Sequence, residues 1–148
     1  MAKKSRKRRS GCPISAALEV LGDRWSLLIV RDLMLRGDRT YKDFLAADER
    51  IASNILADRL KKLADSEIIT VHSDPGDGRK QIYGLTRKGI DLAPVLAELV
   101  VWALQHELMS TPPTMTRNIA TGRAPFLAEV RARWEERHPH GRAHSRRR

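Results

Sequence analysis

Residues 51–63 have the sequence IASNILADRLKKL, which predicts the helix around which the rest of the chain is organised. Leu56, Leu60 and Leu63 recur at helical spacing and form one narrow apolar stripe. The opposite face carries small or polar side chains, namely Asn54, Ala57, Asp58 and Lys61. Such a face fits a DNA major groove, where base edges offer hydrogen-bond donors and acceptors. The same stripe is also typical of an ordinary amphipathic surface helix.

The residues before this helix favour the DNA-binding interpretation. Thr40 with Asp43 forms an acidic variant of a capping box and predicts a short helix to about Ala47. Residues 48–50, with the sequence DER, then predict a tight polar turn. A short helix, a turn and a second helix form a helix-turn-helix, in which the second helix usually recognises DNA.

A predicted β-hairpin follows the second helix. Residues 68–73 and 80–85 are strand candidates on either side of the turn sequence DPGDG at 74–78. A helix-turn-helix followed by a hairpin is a winged helix, so Arg79 and Lys80 would lie beside the wing tip, within reach of phosphates or a minor groove. The residues that we predict to bind DNA are Thr40, Ser53, Asn54, Ala57, Asp58, Lys61, Arg79 and Lys80.

Several short motifs together resemble those of the HxlR-type winged helix-turn-helix transcriptional regulators of bacteria and archaea. The matching pieces are Cys12-Pro13, LGDRW at 21–25, LLIVRDL at 27–33, YKDF at 41–44, Ile51 with Leu56, Arg59-Leu60 and Leu63, and YGLT at 83–86 with Gly89. The match runs from about Cys12 to Glu107. The resemblance implies a mostly helical α+β fold with a small β-hairpin wing. It also implies a regulator, expected to be a repressor, that binds an inverted-repeat operator on double-stranded DNA as a homodimer joined through its first and last helices.

One position departs from the family pattern at the start of the recognition helix. Family members often place a serine at the position of Ala52, where its side chain could cap the helix. We expect Ser53 to provide that cap here. The start of the helix is therefore fixed only to within one residue.

The composition is that of one globular domain. The chain has 148 residues, of which 41% are hydrophobic, so it is long enough to bury a core. No apolar run approaches the roughly 20 residues that span a membrane, and no apolar segment follows the basic N-terminus as in a secretory signal. The single cysteine permits no internal disulfide. We expect no membrane partner, and residence in the cytoplasm in association with the nucleoid.

The formal net charge of +10 lies in the two ends of the chain. Residues 1–10 contribute six basic side chains and residues 139–148 contribute four, so the charges between them cancel. We predict that both ends are disordered and attract phosphate without regard to sequence. One alternative is that they only maintain solubility. Another is a nuclear-localisation signal from Lys3 to Arg9, which the family resemblance disfavours.

Two helices are predicted before the helix-turn-helix. Residues 13–21 form the first, with the apolar side chains of Ile14 and Leu18 along one side. Asp23 or its neighbour opens the second, which ends at Gly37. Few positions of the second helix are left for solvent, so it must lie at the centre of the fold. Its apolar residues are Trp25, Leu27, Leu28, Ile29, Val30, Leu33, Met34 and Leu35.

A long last helix is predicted from its cap residue Thr86 to about Leu108, with an irregular entry at Pro94. Its apolar residues form two stripes, one of Leu92, Leu96, Leu99 and Ala103 and another of Val95, Val101 and Trp102. Two stripes suggest two contacts, one with its own domain and one with a second subunit. The alternative is a single helix buried beneath the C-terminal extension.

The extension is predicted to contain one further helix, from Pro125 to Arg137. Its apolar side consists of Phe126, Leu127, Val130 and Trp134. We expect this helix to pack back on the dimerisation region, and the alternative is a ligand lid. The predicted organisation is a basic arm at 1–10, a winged helix-turn-helix domain with dimerisation helices at 11–108, the extension at 109–138 and a basic tail at 139–148.

Cys12 is the one residue with predicted chemistry. It immediately precedes a helix that begins at Pro13, where unpaired amide hydrogens, the helix dipole and the basic arm would stabilise a thiolate. Such a thiol would sense oxidants or electrophiles. The resemblance implies the same use, because some family members sense oxidants or reactive aldehydes with a cysteine at this position. The alternative is an inert cysteine at the edge of the dimer.

No enzyme, metal or cofactor site is predicted. The histidines at 138, 140 and 144 have no cysteine and few fixed carboxylates beside them, so any metal binding there would be adventitious. No nucleophile is paired with a base. Three classes stay open: a sequence-specific regulator that responds to a small effector or oxidant, an architectural nucleic-acid-binding protein whose affinity comes from its basic tails, and a winged helix used only for protein contacts.

Overall fold

A helix from Ser26 to Arg36 lies at the centre of the fold, and the other elements pack around it. The computed structural model describes residues 8–108, 119 and 122–139. The elements are α1 (Pro13–Leu21), α2 (Ser26–Arg36), β1 (Arg39–Thr40), α3 (Tyr41–Leu45), α4 (Ser53–Asp65), β2 (Ile69–Asp74), β3 (Asp77–Leu85), α5 (Arg87–Ile90), α6 (Ala93–His106) and α7 (Arg123–Arg137). The strands form one antiparallel sheet in the order β1-β3-β2. The predicted helix-rich winged fold is confirmed, and the sequence did not reveal the short strand β1.

Helix α2 forms the centre of the hydrophobic core. Its buried side chains are Ser26, Ile29, Val30, Asp32, Leu33 and Met34. The Asp23 carboxylate accepts hydrogen bonds at 2.9 Å from the backbone N–H groups of Trp25 and Ser26 and so caps the helix start. Gly37, with a φ of 82°, ends the helix. The prediction of a central apolar helix that ends at Gly37 is confirmed. The predicted opening at Asp23 or its neighbour is wrong, because the helix begins at Ser26 with Trp25 at its N-cap position.

Helices α3 and α4 form the helix-turn-helix. The Thr40 side chain accepts a hydrogen bond from the Asp43 N–H, and the Asp43 carboxylate accepts one from the Thr40 N–H at 2.8 Å. The predicted capping box is therefore confirmed. Ala52 occupies the cap position of α4 without a side-chain hydrogen bond. The expected Ser53 cap is wrong, because Ser53 is already the first residue inside the helix.

The predicted wing hairpin is confirmed. Strands β2 and β3 pair in antiparallel register, with Ile69 opposite Leu85 and Asp74 opposite Asp77 at the turn. Strand β3 begins at Asp77 rather than at Lys80, because the hairpin turns within a shorter part of the DPGDG sequence than expected. The two basic residues predicted beside the tip consequently lie within β3, near its first residue.

The chain after the wing forms two helices rather than one long helix. Thr86 caps only the short helix α5, where its side chain accepts the N–H of Gly89 at 3.0 Å. Helix α6 then ends at His106. A continuous helix is prevented by Pro94, which has no N–H to donate and whose ring would clash with the carbonyl of Ile90. In the first turn of a new helix, where Pro94 lies, neither restriction applies.

The apolar stripes of α6 differ from the predicted ones in membership. The buried side chains of this helix are Ala93, Leu96 and Ala97. Leu99, predicted on the same side as Leu96, is 47% exposed. The buried stripe is centred between Leu96 and Ala97, and Leu99 lies about 110° around the helix from that centre. Leu99 belongs instead with Val95 and Trp102, which are also exposed.

Helix α7 belongs to the same hydrophobic core. Phe126, Val130 and Trp134 are buried, and Leu127 packs against the core from a partly exposed position. The indole N–H of Trp134 donates a hydrogen bond at 2.9 Å to the carbonyl of Leu85, the last residue of β3. The predicted C-terminal helix is confirmed, and it contacts α2 and α5 as well as α6.

Parts of the predicted organisation lie outside the described residues. These parts are residues 1–7 and 140–148 of the basic ends, and residues 109–118, 120 and 121 of the extension. The predicted division of the chain into four segments therefore stays a prediction.

A Schellman motif ends helix α4 and holds Glu67 in the left-handed conformation. The N–H of Ile68 donates to the carbonyl of Leu63, and the N–H of Glu67 donates to the carbonyl of Ala64, both at 2.9 Å. Glycine usually occupies the position of Glu67 in this motif, because a side chain is strained at a φ of 57°. Helix α4 thus ends in a turn whose backbone is hydrogen-bonded but strained at Glu67.

Replacing Glu67 with glycine should relieve that strain. We expect Glu67→Gly to have a free energy of unfolding in urea about 1 kcal/mol higher than that of Glu67→Ala. The alanine variant is the control, because both variants lose the Glu67 side chain and its interactions while only alanine keeps a Cβ atom at positive φ. Equal free energies of unfolding for the two variants would show that the turn stores no such strain.

Candidate DNA-recognition surface

Helix α4 exposes the polar face that its sequence predicts. Leu56, Leu60 and Leu63 are buried in the core. The exposed residues on the other side include Asn54, Ala57, Asp58 and Lys61. The helix therefore presents amide, carboxylate and ammonium groups outward, with a small alanine between them that lets a neighbouring surface approach closely.

The phenol of Tyr41 joins α3 to the start of α4. Its O–H donates a hydrogen bond at 2.6 Å to the carbonyl of Ser53. Phe44, one turn further along α3, is buried and packs edge-to-face against Tyr83 of β3 with ring centroids 6.0 Å apart. One short helix thus holds both the recognition helix and the wing strand. In the sequence, Tyr41 and Phe44 are three residues apart, which places both aromatic side chains on one side of a helix. This spacing does not reveal the hydrogen bond from the Tyr41 hydroxyl to Ser53.

Two ion pairs join α2 to the helix-turn-helix. Arg31 Nη1 lies 2.6 Å from a carboxylate oxygen of Glu49 in the turn before α4, and Arg31 Nη2 lies 2.9 Å from the buried Asp32. At the start of α2, Asp23 Oδ1 lies 3.2 Å from Arg59 Nε of α4. This second contact is an ion pair without hydrogen-bond alignment. The two pairs fix the turn and α4 relative to the central helix.

The pKa values of the acidic partners lie below their ordinary values. Burial raises the pKa of Asp23, but hydrogen bonds from the Ser26 hydroxyl and from two backbone N–H groups, together with the charge of Arg59, lower it by more. The hydrogen bond from Arg31 lowers the pKa of Glu49 by more than partial burial raises it. Both carboxylates are ionised at neutral pH. Their stabilisation of the fold is complete above the unfolded-state pKa of about 4 and is lost as the pH falls through the lower folded-state values.

Lys61 and Asp65 form an ion pair one turn apart on α4, with Nζ 2.6 Å from Oδ2. The hydrogen bond to Asp65 raises the pKa of Lys61, so the ammonium stays charged. The two side chains are 76% and 63% exposed, so solvent screens their attraction. A DNA phosphate can therefore replace Asp65 as the partner of Lys61.

Thr40 differs from the other predicted DNA-binding residues in its surroundings. Its hydroxyl takes part in the capping box and donates to the Asp43 carboxylate at 2.8 Å. Ser53 is exposed in the first turn of α4, beside Asn54. The structure thus places five of the predicted residues on one helix, and it places Thr40 at the start of α3 with its hydroxyl already bonded.

Arg79 and Lys80 lie exposed on β3, close to the wing turn. The Arg79 side chain is 96% exposed, and its Nε lies 3.7 Å from Asp77 of the same strand. The turn itself is held by the Asp74 carboxylate, which accepts the Gly76 N–H at 2.8 Å. The wing therefore presents two basic side chains on a different element from the polar face of α4.

Cys12 lies at the N-terminal end of α1. Its side chain is exposed and makes no capping hydrogen bond, and its N–H donates to the Ser10 hydroxyl oxygen at 3.1 Å. Helix α1 has no buried residue. Its apolar side chains Ile14 and Leu18 are 71% and 58% exposed. Cys12 therefore adjoins an exposed apolar helix rather than the recognition helix.

Two of the three histidines in the described part of the chain contact aromatic rings. His106 lies 5.5 Å from Trp102, and His138 stacks on Trp134 at 4.7 Å between ring centroids. Among residues 8–108, 119 and 122–139, no three histidine, cysteine, aspartate or glutamate side chains form a group that could hold a metal ion. No helix in the same part of the chain is both long and apolar enough to cross a bilayer.

The family comparison covers the helix-turn-helix and the wing. Residues 20–111 match the model of the HxlR-like helix-turn-helix family. The HTH-type transcriptional regulator YodB of Bacillus subtilis is 38% identical over 95 residues, which cover 64% of this chain and 84% of YodB. Cys12 and helix α7 lie outside the segment that the family model matches.

Solved structures of transcriptional regulators share this fold. PA1607, described as a candidate transcription factor, has a TM-score of 0.63 at 32% identity, and the match covers 72% of each chain. Reduced YodB from B. subtilis has a TM-score of 0.56 at 36% identity, covering 66% of this chain and 96% of that one. Quinone-bound YodB has a TM-score of 0.52 at 37% identity, covering 64% and 98%.

Removing the Tyr41 hydroxyl should loosen the hold on α4. We expect Tyr41→Phe to lower the free energy of unfolding by about 1 kcal/mol, because the variant loses the hydrogen bond to Ser53. Tyr83→Phe is the control, since it removes a hydroxyl from the aromatic ring that packs on Phe44. Urea denaturation measures both variants. Equal losses in Tyr41→Phe and Tyr83→Phe would contradict a specific role for the Tyr41 contact.

Proposed function

The chain belongs to the HxlR-like helix-turn-helix family, and we propose that it is a repressor that binds an inverted-repeat operator as a homodimer. Its relatives are DNA-binding transcriptional regulators rather than enzymes. Repression is the simplest consequence of occupying DNA that RNA polymerase would otherwise use. A protein with this role acts on the nucleoid.

The exposed polar face of α4 is the observation that carries the proposal. Its groups match the chemistry of a major groove: an Asn54 amide can pair with the edge of adenine, and the Ala57 methyl group can contact the methyl group of thymine. The Lys61 ammonium can contact guanine or a phosphate. Arg79 and Lys80 of the wing supply further contacts to the backbone, which add affinity without sequence preference.

Exposed apolar side chains on α1 and α6 support a dimer. Ile14 and Leu18 face solvent on a helix that buries none of its residues. On α6, Val95, Leu99 and Trp102 are 43%, 47% and 55% exposed and lie on one helix face. Exposed apolar helix faces of this kind often mark a contact with another protein. We propose a second copy of the chain as that partner, so that α1 and α6 form the interface.

A two-fold dimer places its recognition helices in successive major grooves about 34 Å apart, or one turn of DNA. Selection from random duplex DNA with the purified protein should therefore recover an inverted repeat with half-site centres roughly 10 base pairs apart. Recovery of DNA without a shared motif, with affinity that disappears as salt rises, would favour the alternative of an architectural protein that binds through its basic ends.

Dimerisation has its own test on the same DNA. We expect Leu99→Glu to place a charge in the apolar interface, shift the protein to monomers in sedimentation experiments and lower affinity for the full operator by about 100-fold. Val71→Glu is the matched control for the sedimentation experiment only, because Val71 is similarly exposed at 43% but lies on wing strand β2, where an added negative charge can itself weaken DNA binding. A Leu99→Glu protein that stays dimeric would contradict an interface on this face of α6.

Cys12 is the proposed point of regulation. Structures of the relative YodB include reduced, quinone-bound and diamide-treated forms. In this chain Cys12 is the single cysteine, so any comparable thiol chemistry takes place there. A quinone would add to the thiolate as a thioether. Diamide would take two electrons and two protons from the thiols of two subunits and leave a disulfide between them. Either product adds a group beside the exposed apolar helix α1.

Operator binding should therefore respond to thiol reagents through Cys12. We expect diamide or a quinone to change the affinity of the unmodified protein about tenfold, which corresponds to 1.4 kcal/mol of difference between the two states. Cys12→Ser should bind the operator normally and show no response. An equal response of Cys12→Ser and the unmodified protein would remove Cys12 from regulation and would leave DNA recognition by α4 unaffected.

A further inference from the structure

The carboxylate of Asp58 lies on the DNA-facing surface of α4 but does not stand alone. The side chain is 67% exposed, and its Oδ2 accepts a hydrogen bond at 2.8 Å from Nη1 of the adjacent Arg59. An isolated carboxylate on this face would be repelled by DNA phosphates. The guanidinium of Arg59 offsets that charge and holds one of the two carboxylate oxygens, which leaves Oδ1 available to another donor.

Arg59 is itself held by the central helix of the fold. Its side chain is only 24% exposed, and its Nε lies 3.2 Å from Oδ1 of Asp23. Asp23 in turn is fixed at the start of α2 by two backbone N–H groups and by the hydroxyl of Ser26. The three side chains therefore form a series, Asp23–Arg59–Asp58, which runs from a partly buried residue just before α2 to the exposed face of α4.

We infer that Asp58 is a specificity-determining residue that accepts a hydrogen bond from the N4 amino group of cytosine, and that Arg59 and Asp23 position its carboxylate for this contact. The inference rests on the proposed function, because it requires α4 to lie in a major groove. Cytosine presents an amino donor on that edge, whereas guanine and thymine present acceptors. Adenine also presents an amino donor, but its N7 acceptor lies beside that donor. The N7 atom would face the second carboxylate oxygen, and the two acceptors would repel each other.

The base preference of Asp58 variants tests this contact. We expect the operator selected by the unmodified protein to contain cytosine at one symmetric pair of positions. In competition binding, Asp58→Ala should show a preference for cytosine at these positions that is about tenfold weaker. Asp58→Asn should shift the same pair toward adenine, since an amide can bond both N6 and N7. All other positions of the operator should keep their preferences in both variants.

Asp65→Ala is the matched control for charge. It removes the same charge from the same helix, two turns from Asp58 and on the same face. We expect this variant to free Lys61 for DNA and so to raise affinity, and to leave the cytosine preference unchanged. Loss of the cytosine preference in Asp65→Ala as well would mean that the effect of Asp58→Ala is one of charge, which would overturn the inference.

The positioning role of Arg59 has a separate readout. Arg59→Lys keeps the positive charge but loses the forked geometry that can contact two carboxylates. We expect it to weaken the cytosine preference several-fold, with unchanged preferences elsewhere in the operator. A merely structural role would instead lower the affinity for every sequence equally. If Arg59→Lys binds with the complete cytosine preference, Arg59 does not position Asp58.

The outcomes for the inference and for the proposed function are distinguishable. If the unmodified protein selects an inverted repeat and Asp58→Ala selects the same repeat unchanged, the inference fails and the proposed function stands. If the unmodified protein selects no repeat, the proposed function fails and the inference fails with it. Because Asp58 is exposed, its replacement leaves the core intact. The base preference of Asp58→Ala can therefore be measured regardless of how well an Arg59 variant folds.

Discussion

The burial of α2 is the constraint on which the rest of the structure depends. Val30, Leu33 and Met34 are no more than 2% exposed, and truncating such a residue typically costs about 2–5 kcal/mol. The partly exposed ion pairs that lead from α2 to the helix-turn-helix are worth much less, about 0–1 kcal/mol each in typical measurements. Apolar burial therefore determines whether the domain folds. The ion pairs contribute mainly to the angle and position at which the turn and α4 are held.

Two kinds of exposed surface remain once this core is formed. Helix α4 and the wing present polar and basic groups, whereas α1 and one face of α6 present apolar side chains. Asp23 lies where the two meet, directly after α1 and at the start of α2, and its carboxylate faces Arg59 of the recognition helix. A displacement of α1 therefore has a short physical route to α4. This route is the mechanical basis on which we propose that modification of Cys12 alters DNA affinity.

Local sequence signals predicted most of the helices, the capping box at Thr40 and the wing hairpin, because each depends on residues close together in the chain. The division between α5 and α6 was harder to predict, since Pro94 is compatible with either an irregular helix or the first turn of a new one. Periodicity placed Leu99 on one apolar stripe with Leu96 but could not show that the described part of the chain leaves Leu99 exposed. The contacts of Asp23 with Arg59 and of Tyr41 with Ser53 join separate elements, so only the folded structure reveals them.

The central claim is that α4, held by α2 and α3, enters the major groove in each half of a two-fold site. Dimethyl sulfate methylates guanine N7 in the major groove, so its reactivity on the selected operator tests that claim directly. The account predicts two protected patches of N7 atoms, related by the dyad and about one helical turn apart. Full N7 reactivity across a DNA site that the protein demonstrably occupies would contradict it.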